Sequence, residues 1–263
     1  MSERLIKTFS CKKKKLVTFV TGGDPDQDTC YQILETIIKN GADIIEIGMP
    51  FSDPMADGPT IQLSSKRSIK NGTNLNNIFE ICAKIRDKNN LIPIILMGYY
   101  NVVLNYGIKN FTEKCSSAGV DGLIIVDLQP EEDSELYKSI NNKNINLIRL
   151  ITPNTTPERL KKITNHASGF LYYVTITGIT GQKSADIEQL KNSIKLIREY
   201  SNLPVMAGFG INNKSQVSEI CQTADGAVVG SAIIKIIENK IHQKKEMIEK
   251  IGRFVRELKE DLV

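Results

Sequence analysis

Eight apolar runs of about five residues, most of them followed by an amphipathic segment, predict an α/β protein built as a single closed (β/α)8 barrel of the TIM type. The runs are rich in Ile, Val and Leu, as strands buried on both faces require. The 263 residues, 41% hydrophobic and 24% charged, match the length of one such barrel and supply its core. One domain over residues 1–263 is therefore expected. An open doubly wound sheet is the alternative, but no GxGxxG follows the first run and no break divides the chain into halves.

Residues 2–10 read as an extra N-terminal helix, placed to close the lower end of the barrel. The strands are expected at 16–20, 43–47, 93–97, 122–126, 145–150, 170–174, 204–207 and 225–229. Between them, residues 26–40 carry Ile33, Leu34, Ile37 and Ile38 at helical spacing, and residues 75–88 repeat the pattern with Ile78, Phe79, Cys82 and Ile85. Further helices are expected at 111–118, 132–140, 157–164, 187–200 and 215–221. Thr156-Pro157-Glu158 supplies an N-cap followed by proline at the first helical position, and Ser184 and Asp186 precede another helix. Asn40-Gly41, Asn71-Gly72 and Ala118-Gly119 mark helix ends. Residues 231–263 read as one long final helix, although the apolar spacing slips after Ile241.

Composition narrows the function. Net charge is +4, and the basic run Lys12 to Lys15 has no aromatic residues interleaved, so it reads as a solvated lead-in to a strand and not as a nucleic-acid surface. Five scattered cysteines with no CxxC pair read as reduced thiols in a cytoplasmic protein. Two histidines leave no His-rich metal site, and no metal is expected. The first residues lack the apolar core of a signal peptide, and no run approaches the roughly 20 apolar residues that span a bilayer.

In a barrel of this kind the site is built where strands end at their C-terminal side. Those positions hold Gly22-Gly-Asp24, Glu46, Tyr99-Tyr-Asn101, Asp127, the loop Thr177-Gly-Ile-Thr-Gly181, Gly208-Phe-Gly210 and Gly230-Ser231. The glycine turns after the last three runs converge on one rim. They can offer backbone N–H groups to an anion, and Gly230-Ser231 opens a helix whose N-terminus favours negative charge, so phosphate is the expected occupant. Singly, each glycine is also an ordinary turn residue and Ser231 an ordinary N-cap. Glu46 shares a face with Ile44 two residues earlier; it is available for proton transfer or held in a buried ion pair or hydrogen bond. Asp57 sits in a loop stiffened by Pro50, Pro54 and Pro59, as a functional carboxylate or as an Asx turn or cap before the next helix. Asp127 faces inward or caps the following helix. Phe19, Tyr99, Tyr172 and Phe209 make the mouth aromatic and point to a flat apolar substrate with a phosphate tail.

The run Glu46-Ile-Gly-Met-Pro-Phe-Ser-Asp-Pro-Met-Ala-Asp-Gly-Pro-Thr-Ile-Gln62 resembles the most distinctive signature of the tryptophan synthase alpha chain family. Phe19-Val-Thr-Gly-Gly-Asp-Pro25, Leu96-Met-Gly-Tyr-Tyr-Asn101, Gly178-Ile-Thr-Gly181, Gly208-Phe-Gly-Ile211 and Gly230-Ser-Ala232 fall where that family has its motifs, so the similarity spans essentially the whole chain. The resemblance implies retro-aldol cleavage of indole-3-glycerol phosphate to indole and glyceraldehyde 3-phosphate, with no metal or organic cofactor in this chain. Glu46 matches the family's proton-shuttling carboxylate and Asp57 the one that assists at the indole nitrogen. Thr180 and Gly181 match the loop over the site, and Gly210, Gly230 and Ser231 match phosphate contacts. The implied partner is a pyridoxal-phosphate-dependent (PLP) tryptophan synthase beta chain in an alpha2-beta2 complex, with the PLP in the beta chain. Asp53, in the same loop as Asp57, lies where a docking partner would sit. Gln129 stands where the family commonly has proline, and Gln182-Lys183 replaces its usual Ala-Arg. Two other readings remain at this level: another phosphate-binding barrel isomerase, and a non-catalytic barrel that activates a partner.

Overall fold

The computed structural model describes residues 2–174, 187–208 and 210–262. Nine parallel strands form one sheet: β1 Lys15–Thr21, β2 Ile44–Gly48, β3 Ile94–Gly98, β4 Gly122–Ile125, β5 Asn146–Leu147, β6 Arg149–Ile151, β7 Leu171–Tyr173, β8 Val205–Ala207 and β9 Gly226–Val229. They pair in the order β5-β4-β3-β2-β1-β9-β8-β7-β6. The two ends of that order, β5 and β6, are separated in the chain by Ile148 alone, so the sheet curls round into the expected barrel. The fifth expected strand is thus two short pieces: β5 pairs only with β4 and β6 only with β7. Ile148 passes the chain from one neighbour to the other, its N–H still donating to Leu123 O at 2.9 Å.

Side-chain alternation divides the apolar residues into two sets. Val17, Ile44, Ile95, Ile124, Ile148, Tyr172, Met206 and Val228 point inward and pack as one buried cluster. Their neighbours Leu16, Ile45, Ile47, Leu96, Leu123, Leu171, Val205 and Val229 point outward, under the helices. The first helix, α1 (Glu3–Ser10), closes the lower end as expected. Its Leu5 is fully buried in the inner cluster, and Phe9 lies 6.0 Å from Phe170, ring to ring. Asp121, buried at the start of β4, anchors the same end: it accepts from Ser2 Oγ, from Arg4 Nη1 at 3.0 Å, from Arg86 Nη2 at 2.6 Å and from the Ile94 N–H at 2.9 Å.

The outer layer comprises α2 Gln27–Lys39, α3 Pro59–Lys70, α4 Leu75–Lys88, α5 Tyr100–Tyr106, α6 Ile108–Ser117, α7 Ser134–Ile140, α8 Pro157–Asn165, α9 Ile187–Tyr200, α10 Lys214–Cys221, α11 Ser231–Asn239 and α12 Lys244–Lys259. Thr156 caps α8 by accepting from the Arg159 N–H, and Gly41, Gly72 and Gly119 end their helices at φ values of +105°, +79° and +73°. Four expectations need correction. The final helix is two: α11 turns Ile233, Ile234 and Ile237 inward, while α12 buries Met247, Ile251, Val255 and Leu258, and the chain bends between them at 240–243. The helices α3 and α5 had no apolar stripe to announce them. The lead-in lysines are only partly solvated, for Lys14 Nζ donates to Ala224 O at 2.7 Å and Lys15 is buried. Residues 130–132 form a separate 3-10 turn, so the helix expected from 132 starts at Ser134. Ser184 and Asp186 lie outside the described residues. Among those described, no helix is long and apolar enough to cross a membrane.

Leu5→Ala is expected to lower stability by about 2–5 kcal/mol, as a large-to-small change in a closed core does. A urea titration should show a lower midpoint at unchanged slope, while turnover at saturating substrate stays within about twofold, because the site lies at the opposite end. Lost turnover at parental stability would contradict this placement.

Candidate active site

The upper rim begins at the pair Phe19 and Glu46, opposite one another on β1 and β2. Glu46 is 1% exposed, and among the described residues its Oε1 has no hydrogen-bond partner. Burial alone pushes its carboxyl up to about 8, so it is protonated at neutral pH. The ion-pair alternative for Glu46 therefore finds no support. Tyr172, buried in the inner cluster, has its phenol pushed well above the ordinary value by burial and then by Glu46, which places the two side chains in one electrostatic neighbourhood. Phe19 is clamped between glycines. A Cβ on Gly48 would sit 2.6 Å from its ring and one on Gly230 would sit 3.0 Å from its Cβ. Phe19 thus joins the carboxyl side of the rim to the glycine side.

Asp57 is positioned by the loop between β2 and α3. Its N–H donates to Pro54 O at 3.3 Å and its carbonyl accepts from Gln62 Nε2 at 2.7 Å. Gly58 occupies the N-cap of α3 and Pro59 its first position, so the Asp57 carboxylate is not the cap. Burial raises that carboxyl to about 6, opposed by a hydrogen bond with Tyr99. Tyr99 is 2% exposed; its hydroxyl accepts from the Ala56 N–H at 3.1 Å and its ring lies 5.4 Å from Phe51. The tyrosine expected at a substrate wall is therefore also a post for the Asp57 loop. Two carboxyls with different environments result, one neutral and one ionised at pH 7. Asp127 takes a third course beside the two expected for it. It accepts from the Tyr100 N–H at 2.7 Å and so caps α5, the helix after β3.

On the glycine side, Gly208 follows β8 so closely against β9 that a Cβ would lie 2.5 Å from Val228 O. Gly210 takes a φ of +70°, in the left-handed region. Gly230 is the N-cap of the nine-residue α11 and Ser231 its first residue, one position further in than an N-cap serine. Gly208 thus lies against the strand that leads into α11, whose opening N–H groups have no partner within the helix and suit an anion. Thr180, Gly181, Gln182, Lys183 and Phe209 lie outside the described residues. Gln129 accepts a hydrogen bond from Arg159, which also pairs with Glu131 at 2.5 Å. Among the described residues, no group of three His, Cys, Asp or Glu side chains could hold a metal ion.

Sequence reasoning placed Asp24 at this end of the barrel without giving it a task, and missed Arg67 as its partner. Asp24, fully buried after β1, binds Arg67 of α3. The available signal was a polar stripe, Ser64, Arg67, Ser68 and Asn71, at helical spacing.

The sequence profile of the family described as "Tryptophan synthase alpha chain" matches residues 6–263. A tryptophan synthase alpha chain of Petrotoga mobilis is 45% identical over 246 residues, covering 94% of this chain and 95% of that one. Among solved structures, tryptophan synthase subunit alpha from Legionella pneumophila superposes with a TM-score of 0.90 at 32% identity, covering 99% of this chain and 97% of that chain. A Pyrococcus furiosus structure, described as the basis of mutual activation of the tryptophan synthase a2b2 complex, superposes at 0.85 with 36% identity, covering 94% of this chain and 98% of that chain.

Glu46 also makes stability depend on pH. Its folded-state value of about 8 lies above the ordinary 4.5, so its contribution is fully present below about pH 4.5 and is lost as pH rises through 8. Asp57 acts in the same direction, up to about pH 6. Stability should fall by up to about 1.4 kcal/mol per pH unit for each such group over its window. Urea midpoints from pH 5 to 9 should fall less steeply in Glu46→Gln than in the parent; parallel slopes would mean that Glu46 is ionised in the folded protein.

Proposed function

The chain belongs to the tryptophan synthase alpha chain family, and we propose that Glu46 and Asp57 are the two carboxyl groups that perform its reaction. The reaction is the lyase step of tryptophan biosynthesis, the retro-aldol cleavage of indole-3-glycerol phosphate to indole and glyceraldehyde 3-phosphate. The observation that carries the role assignment is the contrast between Glu46, buried with no partner for its Oε1 among the described residues, and Asp57, whose carboxyl is held by Tyr99 in the loop that follows.

Protonated Glu46 gives its proton to the ring carbon that bears the side chain. The resulting carboxylate takes the proton of the adjacent side-chain hydroxyl as the carbon–carbon bond breaks. The bonding electrons return to the ring, the hydroxyl oxygen becomes the aldehyde, and Glu46 ends protonated as it began. Positive charge builds at the ring nitrogen when the carbon is protonated, and the Asp57 carboxylate accepts the N–H hydrogen bond that stabilises it. Phe19, Tyr99, Tyr172 and Phe209 would wall the ring, while Gly210, Gly230 and Ser231 would hold the phosphate at the α11 N-terminus. Thr180 and Gly181 would belong to a loop covering the substrate.

No step in this sequence calls for a metal or an organic cofactor in this chain. The indole passes to a tryptophan synthase beta chain that holds PLP, within an alpha2-beta2 complex; the Pyrococcus furiosus assembly supports that reading. A cytoplasmic location fits five free cysteines, and one domain fits a single sheet that closes on itself.

Release of indole from indole-3-glycerol phosphate by the purified chain is the direct test. Glu46→Gln should lower kcat by about 10² or more while phosphate-bearing ligands still bind. Asp57→Asn should lose most activity at near-parental Tm. In the parent, kcat/KM should rise with pH as Asp57 ionises near 6 and fall as Glu46 ionises near 8. Activity of Glu46→Gln within about threefold of the parent would remove Glu46 from the acid–base role.

Asp53 is exposed on the loop that holds Asp57, hydrogen-bonded only to its neighbour Ser52 among the described side chains. Asp53→Ala should leave basal cleavage within about twofold but weaken the acceleration on adding beta chain, because coupling needs contacts that differ between two states. Full activation of the variant would place the coupling contact elsewhere.

A further inference from the structure

Helix α3 follows the Asp57 loop directly, and it is attached to the barrel in an unusual way. Its buried side chains are Ser64, Ser65 and Ser68, whereas its apolar Leu63 and Ile69 are exposed by 47% and 39%. Ile61, half-buried against the core, is its one apolar side chain packed there, and hydrogen bonds to the β1–α2 loop supply the rest of the attachment. Ser64 Oγ donates to Asp24 Oδ2 at 2.6 Å; Arg67 donates through Nε to Asp24 Oδ1 at 2.9 Å and through Nη2 to Oδ2 at 2.8 Å. Ser68 Oγ donates to Gly22 O at 2.6 Å, and Asn71 Nδ2 to Pro25 O. Arg67 Nη1 also lies 3.9 Å from Glu238 of α11.

We propose that the Asp24–Arg67 fork is a positioning pair for Asp57, fixing the orientation of α3 and through it the carboxylate at the substrate's ring nitrogen. Two parallel N–H···O bonds set both distance and rotation, which an apolar contact leaves loose. The connection to Asp57 is short: Gln62, in the first turn of α3, donates to the Asp57 carbonyl, and Gly58 and Pro59 join the two without a flexible linker. Small displacements of a reacting group cost rate out of proportion to their size, so the fork bears on turnover more than on binding. The inference rests on the role given to Asp57 above. Tyr99, which contacts the Asp57 carboxyl from the start of α5, does not touch the fork, and so the two supports can be perturbed separately.

The test compares Arg67→Lys, Asp24→Asn and the double variant Asp24→Asn/Arg67→Met, which leaves no lone buried charge if either single change prevents folding. Each is measured for Tm, kcat, KM and the pH dependence of kcat/KM, below its unfolding temperature. The expected result is a fall in kcat of about tenfold or more with KM within about threefold. The acidic limb near pH 6 should also be displaced, as the loop loosens and Asp57 is rehydrated. Arg67→Lys keeps the charge but loses the fork, so it should behave like the neutral variants. Placed in an Asp57→Asn background, Arg67→Lys should add little further loss. A lowered Tm with parental kcat and an unmoved acidic limb would overturn the inference, as would full activity in Arg67→Lys. Asp57→Asn alone separates the two claims. If it is as active as the parent, the role given to Asp57 fails; if it is impaired while the fork variants are not, only the positioning claim fails.

Discussion

A parallel sheet whose crossovers run along its outer face must bury both of its sides, and here that is achieved by wrapping the strands around an apolar interior until β5 and β6 meet through Ile148. Everything at the site depends on that wrapping. It gathers the ends of β1, β2, β8 and β9 on one rim, so that Phe19 touches the strand of Glu46 on one side and the start of α11 on the other. It also excludes water from Glu46. In an open sheet the same glutamate at a strand end would be hydrated and ionised at neutral pH; within the barrel it is buried, its Oε1 has no partner among the described residues, and burial pushes its carboxyl up to about 8. The closed interior thus turns an ordinary carboxyl into an acid usable near pH 7.

That arrangement is costly, since a buried polar atom without a partner destabilises the folded state. The expense is offset far from the site. At the lower end, α1 seals the interior with Leu5, and Asp121 ties Ser2, Arg4, Arg86 and the start of β3 together. The lower end is thus tied down where no chemistry occurs, while the Oε1 of Glu46 is left without a partner among the described residues at the upper rim. The separation follows from the direction of the strands, because a parallel barrel has one end made of strand starts and another made of strand ends.

The strands were legible in the sequence because burial on both faces demands unbroken Ile, Val and Leu, and that demand shows within five residues. The break at Ile148 was not legible, for residues 145–150 read as one run; only Asn146 and Arg149 hinted at it, and their partners, Asp121 O and Asp133, are distant in sequence. The helix α5 escaped because it is seven residues long and owes its N-terminal cap to Asp127, which lies after the next strand. For the site, residue types and strand-end positions brought Glu46, Asp57, Phe19, Tyr99 and Tyr172 into view. Their protonation states could not be read there, because these come from tertiary burial, and neither could the second task of Tyr99, which depends on an Ala56 N–H in another loop.

The helix α3 inverts the rule by which the other helices were found. Periodicity identifies a helix when its buried face is apolar, and the buried residues of α3 are serines, with Arg67 and Ile61 half-buried beside them. The two kinds of attachment differ physically. Apolar contact is non-directional and grows with area, so a helix held by it can shift by a fraction of an ångström at little cost. Hydrogen bonds to a buried carboxylate are directional, and leaving one unmade in a dry site is expensive. Most helices of the barrel need only to cover the sheet, and apolar faces suffice for that. The helix that begins two residues after Asp57 has to hold a carboxylate in one place, and it is joined to the barrel mainly by the more exacting kind of contact.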